Sequence, residues 1–225
     1  MTSSSPLSGK KGLIIGLAND HSIAYGSAHA AREQGAELVL SCLNEKAFRY
    51  VEPLAQALDS PLYACDVEKP GELEALVNHA VERMGRIDFV IHSFATLAKL
   101  CAPHMTEGGS MLTMSYLGAD EAVPHYGLMG PVKAALESLV RYMAMKLGPR
   151  GIRVHAVSPG PIMTRAASGI ASFDELMENA IRKAPLGRLV TLEEISNLCA
   201  FLCSDASSGM TGQTIYVDAG CHAVA

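Results

Sequence analysis

Nowhere in this 225-residue chain do apolar residues run for the roughly 18 positions that a membrane span requires. The opening MTSSSPLSGKK also has none of the hydrophobic stretch of a secretion signal. A cytoplasmic protein with no membrane partner is therefore expected. Basic runs are missing too: no cluster of lysine and arginine exceeds two or three residues, and the formal net charge is -5. A nucleic-acid partner needs a basic stripe, so none is expected. The six cysteines (Cys42, Cys65, Cys101, Cys199, Cys203 and Cys221) form no CxxC pair, and the eight histidines show neither HxH nor HExxH spacing. Reduced, buried thiols and no metal site are the expectation. No Pro/Gly/Ser-rich linker interrupts the chain, so residues 1–225 read as one dinucleotide-binding and catalytic domain.

What is present is an alternation of short apolar runs with longer amphipathic ones. Strands are expected at 12–17, 37–43, 61–67, 87–95, 110–118, 152–160 and 213–220. Helix-period stretches lie between them, such as PGELEALVNHAVERMG, with Pro70 in its first turn and Gly85 at its close. Near-continuous apolar strands joined by helices imply a parallel sheet covered on both faces. The predicted fold class is α/β, a single-domain Rossmann-like doubly wound parallel sheet of about seven strands with helices on both faces.

Ligands in such folds sit beyond the carboxyl ends of the strands. The first strand leads into IIGLANDHSIAYG, where Gly16 permits a sharp turn and Ser22 can cap the next helix, leaving the amides of Ser22 and Ile23 to face a pyrophosphate. An ordinary capped turn accounts for this loop equally well. Two further strand ends favour a dinucleotide: CDV sets Asp66 and Val67 where an adenine would lie, and HSFA sets Ser93 beneath the ribose or nicotinamide side. The second strand end offers Leu43, Asn44 and Glu45 where a 2′-phosphate would want an arginine, which favours NAD (NADH) over NADP. Lys46 and Arg49 keep NADPH open.

HYGLMGPVKAAL places Tyr126 seven positions before Lys133. Pro131 after Gly130 suits the first turn of a helix, which puts Lys133 in that turn and Tyr126 on the chain entering it. A three-residue gap would instead put both on one helical face. Taken together, these features resemble the short-chain dehydrogenase/reductase superfamily. Gly-x5-Ser-x-Ala, SYLG, Tyr-x6-Lys and SPGPIMTRAASGI narrow the resemblance to the bacterial NADH-dependent enoyl-[acyl-carrier-protein] reductases of type II fatty acid synthesis, over nearly the whole chain. Ordinary superfamily members carry Tyr-x3-Lys, so the longer spacing is the discriminating motif.

The resemblance implies a cytoplasmic homotetramer. Its activity would transfer hydride from NADH to the β-carbon of a trans-2-enoyl thioester carried on acyl carrier protein. Lys133 would bond the nicotinamide ribose, and Tyr126 would donate to the thioester carbonyl. Tyr116 would be a second catalytic-site tyrosine, although packing on the core explains it nearly as well. Ile162 and Thr164 would meet the carboxamide. A mobile lid at about 163–183 would wall an apolar substrate pocket with Met129, Ala166, Ile170 and Phe173 beside the tyrosines.

Two departures stand out. Asp174 and Glu175 occupy the part of the lid helix where the family carries basic residues for its carrier, leaving Arg165, Arg182, Lys183 and Arg188 as substitutes. Only TLAKLCAPHMTEGG separates HSFA from SMLTMSYLG, where the family has roughly 30 more residues. Either the chain is genuinely shortened between Ala95 and Thr96, or a segment is absent there and the numbering runs across it. The look of a helix without its start favours the second. The alternatives to an enoyl reductase are a superfamily oxidoreductase acting on a carbonyl or alcohol and, if the shortening is real, a catalytically impaired NAD-binding form.

Overall fold

The computed structural model describes residues 5–92, 94–162 and 173–224, the side chains of 173 and 174 excepted. Ser93, Thr164, Ala166 and Ile170, expected at the site, lie outside the described residues, as do most of the expected lid and the side chain of Phe173.

Seven strands make one sheet: β1 (Lys11–Ile14), β2 (Glu37–Cys42), β3 (Leu62–Ala64), β4 (Phe89–Ile91), β5 (Gly109–Met114), β6 (Ile152–Pro159) and β7 (Gln213–Val217). Their order is β3-β2-β1-β4-β5-β6-β7, and every pair is parallel. The helices are α1 (Ile23–Glu33), α2 (Glu45–Ala57), α3 (Glu72–Met84), α4 (Ala95–Cys101), α5 (Met129–Leu147), α6 (Phe173–Lys183) and α7 (Leu192–Cys203).

Strand side chains alternate between faces, and the buried residues divide accordingly. Ile14, Leu38, Leu40, Phe89 and Ile91 join one apolar cluster with residues of α1, α2 and α7, whereas Leu13, Val39 and Val90 join the other with residues of α3, α4 and α5. Fully burying a side chain the size of Leu or Phe stabilises by about 1.5–3 kcal/mol, so the doubly covered sheet is the main source of stability. All six cysteines are buried free thiols, as the absence of pairing motifs implies.

The strands are shorter than the apolar runs that announce them. The run at 87–95 yields only Phe89–Ile91, because His92 adopts a φ of 71°, in the left-handed region that a strand cannot continue. β5 stops at Met114, and Tyr116 heads a 3-10 turn at Leu117–Ala119. Pro70 lies in front of α3 rather than in its first turn. A turn closed by the Lys69 N–H to the Asp66 carbonyl (2.9 Å) takes up those residues, and left-handed Gly71 is the N-cap. Gly85 closes that helix as expected.

A short crossover joins β4 and β5. Phe94 is the N-cap of α4, a 3-10 turn follows at Ala102–His104, and Leu97, Ala98 and Cys101 are buried. The short crossover is tied down by the Ile87 N–H to the His104 carbonyl (3.1 Å) and by Arg150 Nη2 donating to the Ala102 carbonyl (2.6 Å). It covers little of α5, whose outward side chains Val132, Tyr142 and Met145, with Leu128 at the N-cap, are more than half exposed. Among the described residues no helix is long and apolar enough to cross a membrane.

Candidate active site

The order of the strands reverses between β1 and β4, and beyond the carboxyl ends at this switch point lies a cleft of about 1190 Å³. Gly16, with φ 89°, makes the left-handed turn after β1 that glycine adopts most readily. Its N–H and that of Leu17 both donate to the Ser41 carbonyl, at 3.0 and 2.7 Å, which anchors the loop to β2. Ser22 caps α1 as expected, its Oγ accepting from the Tyr25 N–H at 3.2 Å. Its own N–H instead donates to the Asn19 carbonyl, at 3.2 Å. Ser22 and Ile23 thus stand behind Asn19, which lines the cleft.

The far end of the cleft is formed by Leu43, Val67 and Tyr50, all large, apolar and exposed, as a surface awaiting an aromatic ring would be. Asn44 caps α2 by accepting from the Ala47 N–H at 2.9 Å. Asp66 is beside Lys69, 3.7 Å away, and its backbone N–H donates to Glu72 at 2.6 Å; it stands next to the cleft-lining Cys65 and Val67. Ile162 is half-buried and packs on the core cluster over β6.

At the near end the wall consists of His92, Phe94, Thr113, Met114, Lys133 and Leu136. Lys133 Nζ donates to the Met114 carbonyl at 2.7 Å. Burial pushes its ammonium pKa below the usual lysine value, and the carboxylate of Glu137 opposes that shift. His92 is half-buried and its pKa is pushed down to about 4, by desolvation first and by the Lys133 charge second, so its imidazole is neutral at pH 7. Its Nε2 has no hydrogen-bond partner among the described residues. The volume, the apolar far end, the capped helix starts and this unpartnered nitrogen together fit a bound dinucleotide.

A second cavity, about 340 Å³, opens between the 117–125 loop and α6. Tyr116 lines it together with Leu117, Val123, Leu176, Ala180 and Cys221, with Glu175, Arg182 and Lys183 at its rim. The rings of Tyr116 and Tyr126 pack at 4.8 Å with a 57° tilt. Burial raises both phenols, Tyr116 to about 12, so each remains a hydroxyl donor at neutral pH. Tyr126 lies outside α5 on the chain entering it, as predicted, and the helix begins one residue early, at Met129, which is nearly half exposed. The structure thus groups Gly16, Leu43, Val67 and Lys133 around one cavity and sets Tyr116 at the other, with Tyr126 against it.

Sequence reasoning missed His92 as a cleft-lining group, as well as Glu137, a buried residue that accepts a hydrogen bond from Ser115 Oγ. Glu137 had a signal, since it stands four residues after Lys133 on the same helix. His92 had none, because its left-handed backbone is imposed by tertiary structure. Among the described residues no group of three or more metal-ligating side chains exists.

The sequence profile of the family described as enoyl-(acyl carrier protein) reductase matches residues 16–99 and 92–222, breaking in two at the β4–β5 crossover. The enoyl-[acyl-carrier-protein] reductase [NADH] 1 of Rhizobium meliloti is 41% identical over 250 aligned residues, covering 97% of this chain and 92% of that protein. Those 250 positions exceed the length of the chain, so part of the relative has no counterpart here. The crystal structure of the Anaplasma phagocytophilum enoyl-(acyl-carrier-protein) reductase in complex with NAD superposes with a TM-score of 0.93 at 38% identity, covering 100% of this chain and 98% of that one. The Bacillus cereus enoyl-acyl carrier protein reductase with NADP+ and indole naphthyridinone gives 0.94 at 35%, covering 98% and 99%.

Proposed function

The chain belongs to the enoyl-[acyl-carrier-protein] reductase family, and on that premise we propose that it reduces trans-2-enoyl thioesters carried on acyl carrier protein, using NADH, in type II fatty acid synthesis. The observation that carries this reading is the pair of tyrosines: two phenols held protonated and packed ring to ring, Tyr116 lining the second cavity, with Lys133 in the dinucleotide cleft. NADH supplies the hydride that reaches the substrate β-carbon. Negative charge then collects on the thioester oxygen, and Tyr126 donates its O–H to that oxygen. Tyr116 packs against Tyr126 and fixes its approach. Lys133 binds the nicotinamide ribose as a charged donor, which makes a stronger bond than a neutral one. At the adenosine end, Leu43 and Val67 flank the adenine, and Asn44 and Glu45 in place of an arginine favour NADH over NADPH.

The family argues for a cytoplasmic homotetramer. The carrier meets the end of α6 rather than its beginning: Arg182 and Lys183 stand at the rim of the second cavity, whereas Asp174 and Glu175 open the helix. We read the short β4–β5 crossover as the place where a segment of the family is absent from this sequence, supported by the broken family match and by the surplus of aligned positions in the relative, with a genuine shortening of the domain as the alternative. That same feature favours a second reading, a dinucleotide-binding protein of impaired turnover, because it leaves α5 little covered beside the nicotinamide end.

Oxidation of NADH in the presence of crotonyl-CoA, followed at 340 nm on protein of verified intact mass, separates the two. Turnover supports the reductase. NADH binding without turnover supports the second reading, and turnover with ketones alone defeats both.

A further inference from the structure

Two consecutive residues at the end of β5 grip α5 at two points. The Met114 carbonyl accepts from Lys133 Nζ at 2.7 Å, and Ser115 Oγ donates to Glu137 Oε1. Ser115 is itself fixed by its backbone N–H to the Val157 carbonyl at 2.7 Å. Lys133 and Glu137 are four residues apart on one helix, so their Cβ atoms are about 5–6 Å apart on the same face. Glu137 is only 6% exposed, and burying its carboxyl group costs free energy unless it is hydrogen-bonded, as it is by Ser115.

We propose that Glu137 is a positioning residue for cofactor binding: its buried carboxylate, held by Ser115, keeps the Lys133 ammonium charged within the dinucleotide cleft. The inference rests on the reading that Lys133 holds the nicotinamide ribose. The groups facing this pair leave Glu137 as the counter-charge. His92, from the end of β4, is neutral, and Tyr216 of β7, which acts on the Glu137 side, is engaged with Asp120. Burial alone favours loss of the Lys133 proton, and Glu137 is the carboxylate that opposes it. Lysine that stays charged to higher pH extends the pH range over which it is a strong donor.

The test is NADH affinity, read by cofactor fluorescence across pH 6 to 10 on the full chain. Wild type is expected to lose affinity on the alkaline side. Glu137→Gln, which keeps shape and removes charge, is expected to lose it about one pH unit earlier. Glu137→Asp, still charged, is expected to follow wild type more closely than Glu137→Gln does. Should Glu137→Gln fail to fold, Ser115→Ala replaces it, and releasing the carboxylate from its donor is expected to shift the limb in the same direction by a smaller amount. Superimposable profiles for wild type and the neutral variant overturn the proposal, as does a Glu137→Asp profile matching Glu137→Gln, which would point to packing rather than charge. A wild type that binds no NADH at any pH removes the reading of Lys133 and this inference with it, whereas binding by wild type with an unmoved limb in the variants removes the inference alone.

Discussion

The ring of Tyr126 lies against the backbone of Gly118, so closely that a Cβ on Gly118 would meet the ring carbons. Gly118 is buried in the 3-10 turn after Tyr116, and its carbonyl in turn faces Gly130 at the start of α5 with no room for a side chain there. Both tyrosines are therefore placed by two glycines that let turn and helix close together. Gly118→Ala is expected to push the Tyr126 ring away and to lower turnover about 100-fold, the scale of a roughly 1 Å misplacement. NADH affinity should be retained, since the dinucleotide cleft is lined by other residues. Steady-state kinetics with crotonyl-CoA and a fluorescence titration with NADH check the two halves; full turnover in the variant would refute the packing argument.

Tyr126→Phe removes one donor and little volume. Loss of a contact to the developing oxyanion typically costs about 3 kcal/mol, so turnover should fall by about 100-fold with the Michaelis constant for NADH unchanged. Retained activity would transfer the donor role to Tyr116, which Tyr116→Phe then tests.

Lys133→Ala is expected to weaken NADH binding by about 10- to 100-fold, the worth of a hydrogen bond from a charged group. Because its ammonium is shifted downward by burial, binding in the wild type should be intact at low pH and decline as pH rises through the lowered value. Calorimetric titration at neutral pH with both proteins settles the first point, and unchanged affinity would remove the lysine from the cofactor site.

His92 gives the fold an acid-sensitive point. Its folded value is about 4 against 6.5 when free, so the unfolded chain takes up the proton first as pH falls. The stability it allows is complete above pH 6.5 and is lost as pH drops towards 4, by about 3 kcal/mol across that window. His92→Asn, which tolerates the left-handed backbone, should flatten this part of the curve. Urea unfolding of both proteins at pH 7 and 4.5 measures the difference, and parallel curves would show that the imidazole is already solvated.

The seven strands were legible because each is an apolar run between turn residues, and their parallel order follows from the helices that separate them. Their ends were less so. Ile91 ends β4 because His92 turns left-handed, and nothing in HSFA announces that. Gly16, Leu43, Val67 and Lys133 could be placed from the rule that ligands sit at strand ends. Tyr126 was legible through its spacing to Lys133 and the Gly130-Pro131 helix start. Glu137 was overlooked because a glutamate in a helix ordinarily faces solvent, and only packing against Ser115 reveals it as buried. Gly118 was invisible for a similar reason, since its role depends on a ring that arrives from eight residues further along the chain.

The crossover from Ile91 to Gly109 is the shortest of the six connections in the sheet, and it joins strands that are immediate neighbours. Closing a short loop sacrifices less chain entropy than closing a long one, and local pairings form faster. Phe89–Ile91 and Gly109–Met114 are therefore, with the β2–β3 pair, among the parallel pairs that the chain can assemble earliest, beside the switch point where the cleft opens. The short crossover thus also draws folding towards the middle of the sheet, with β1 and β6 left to add on either side.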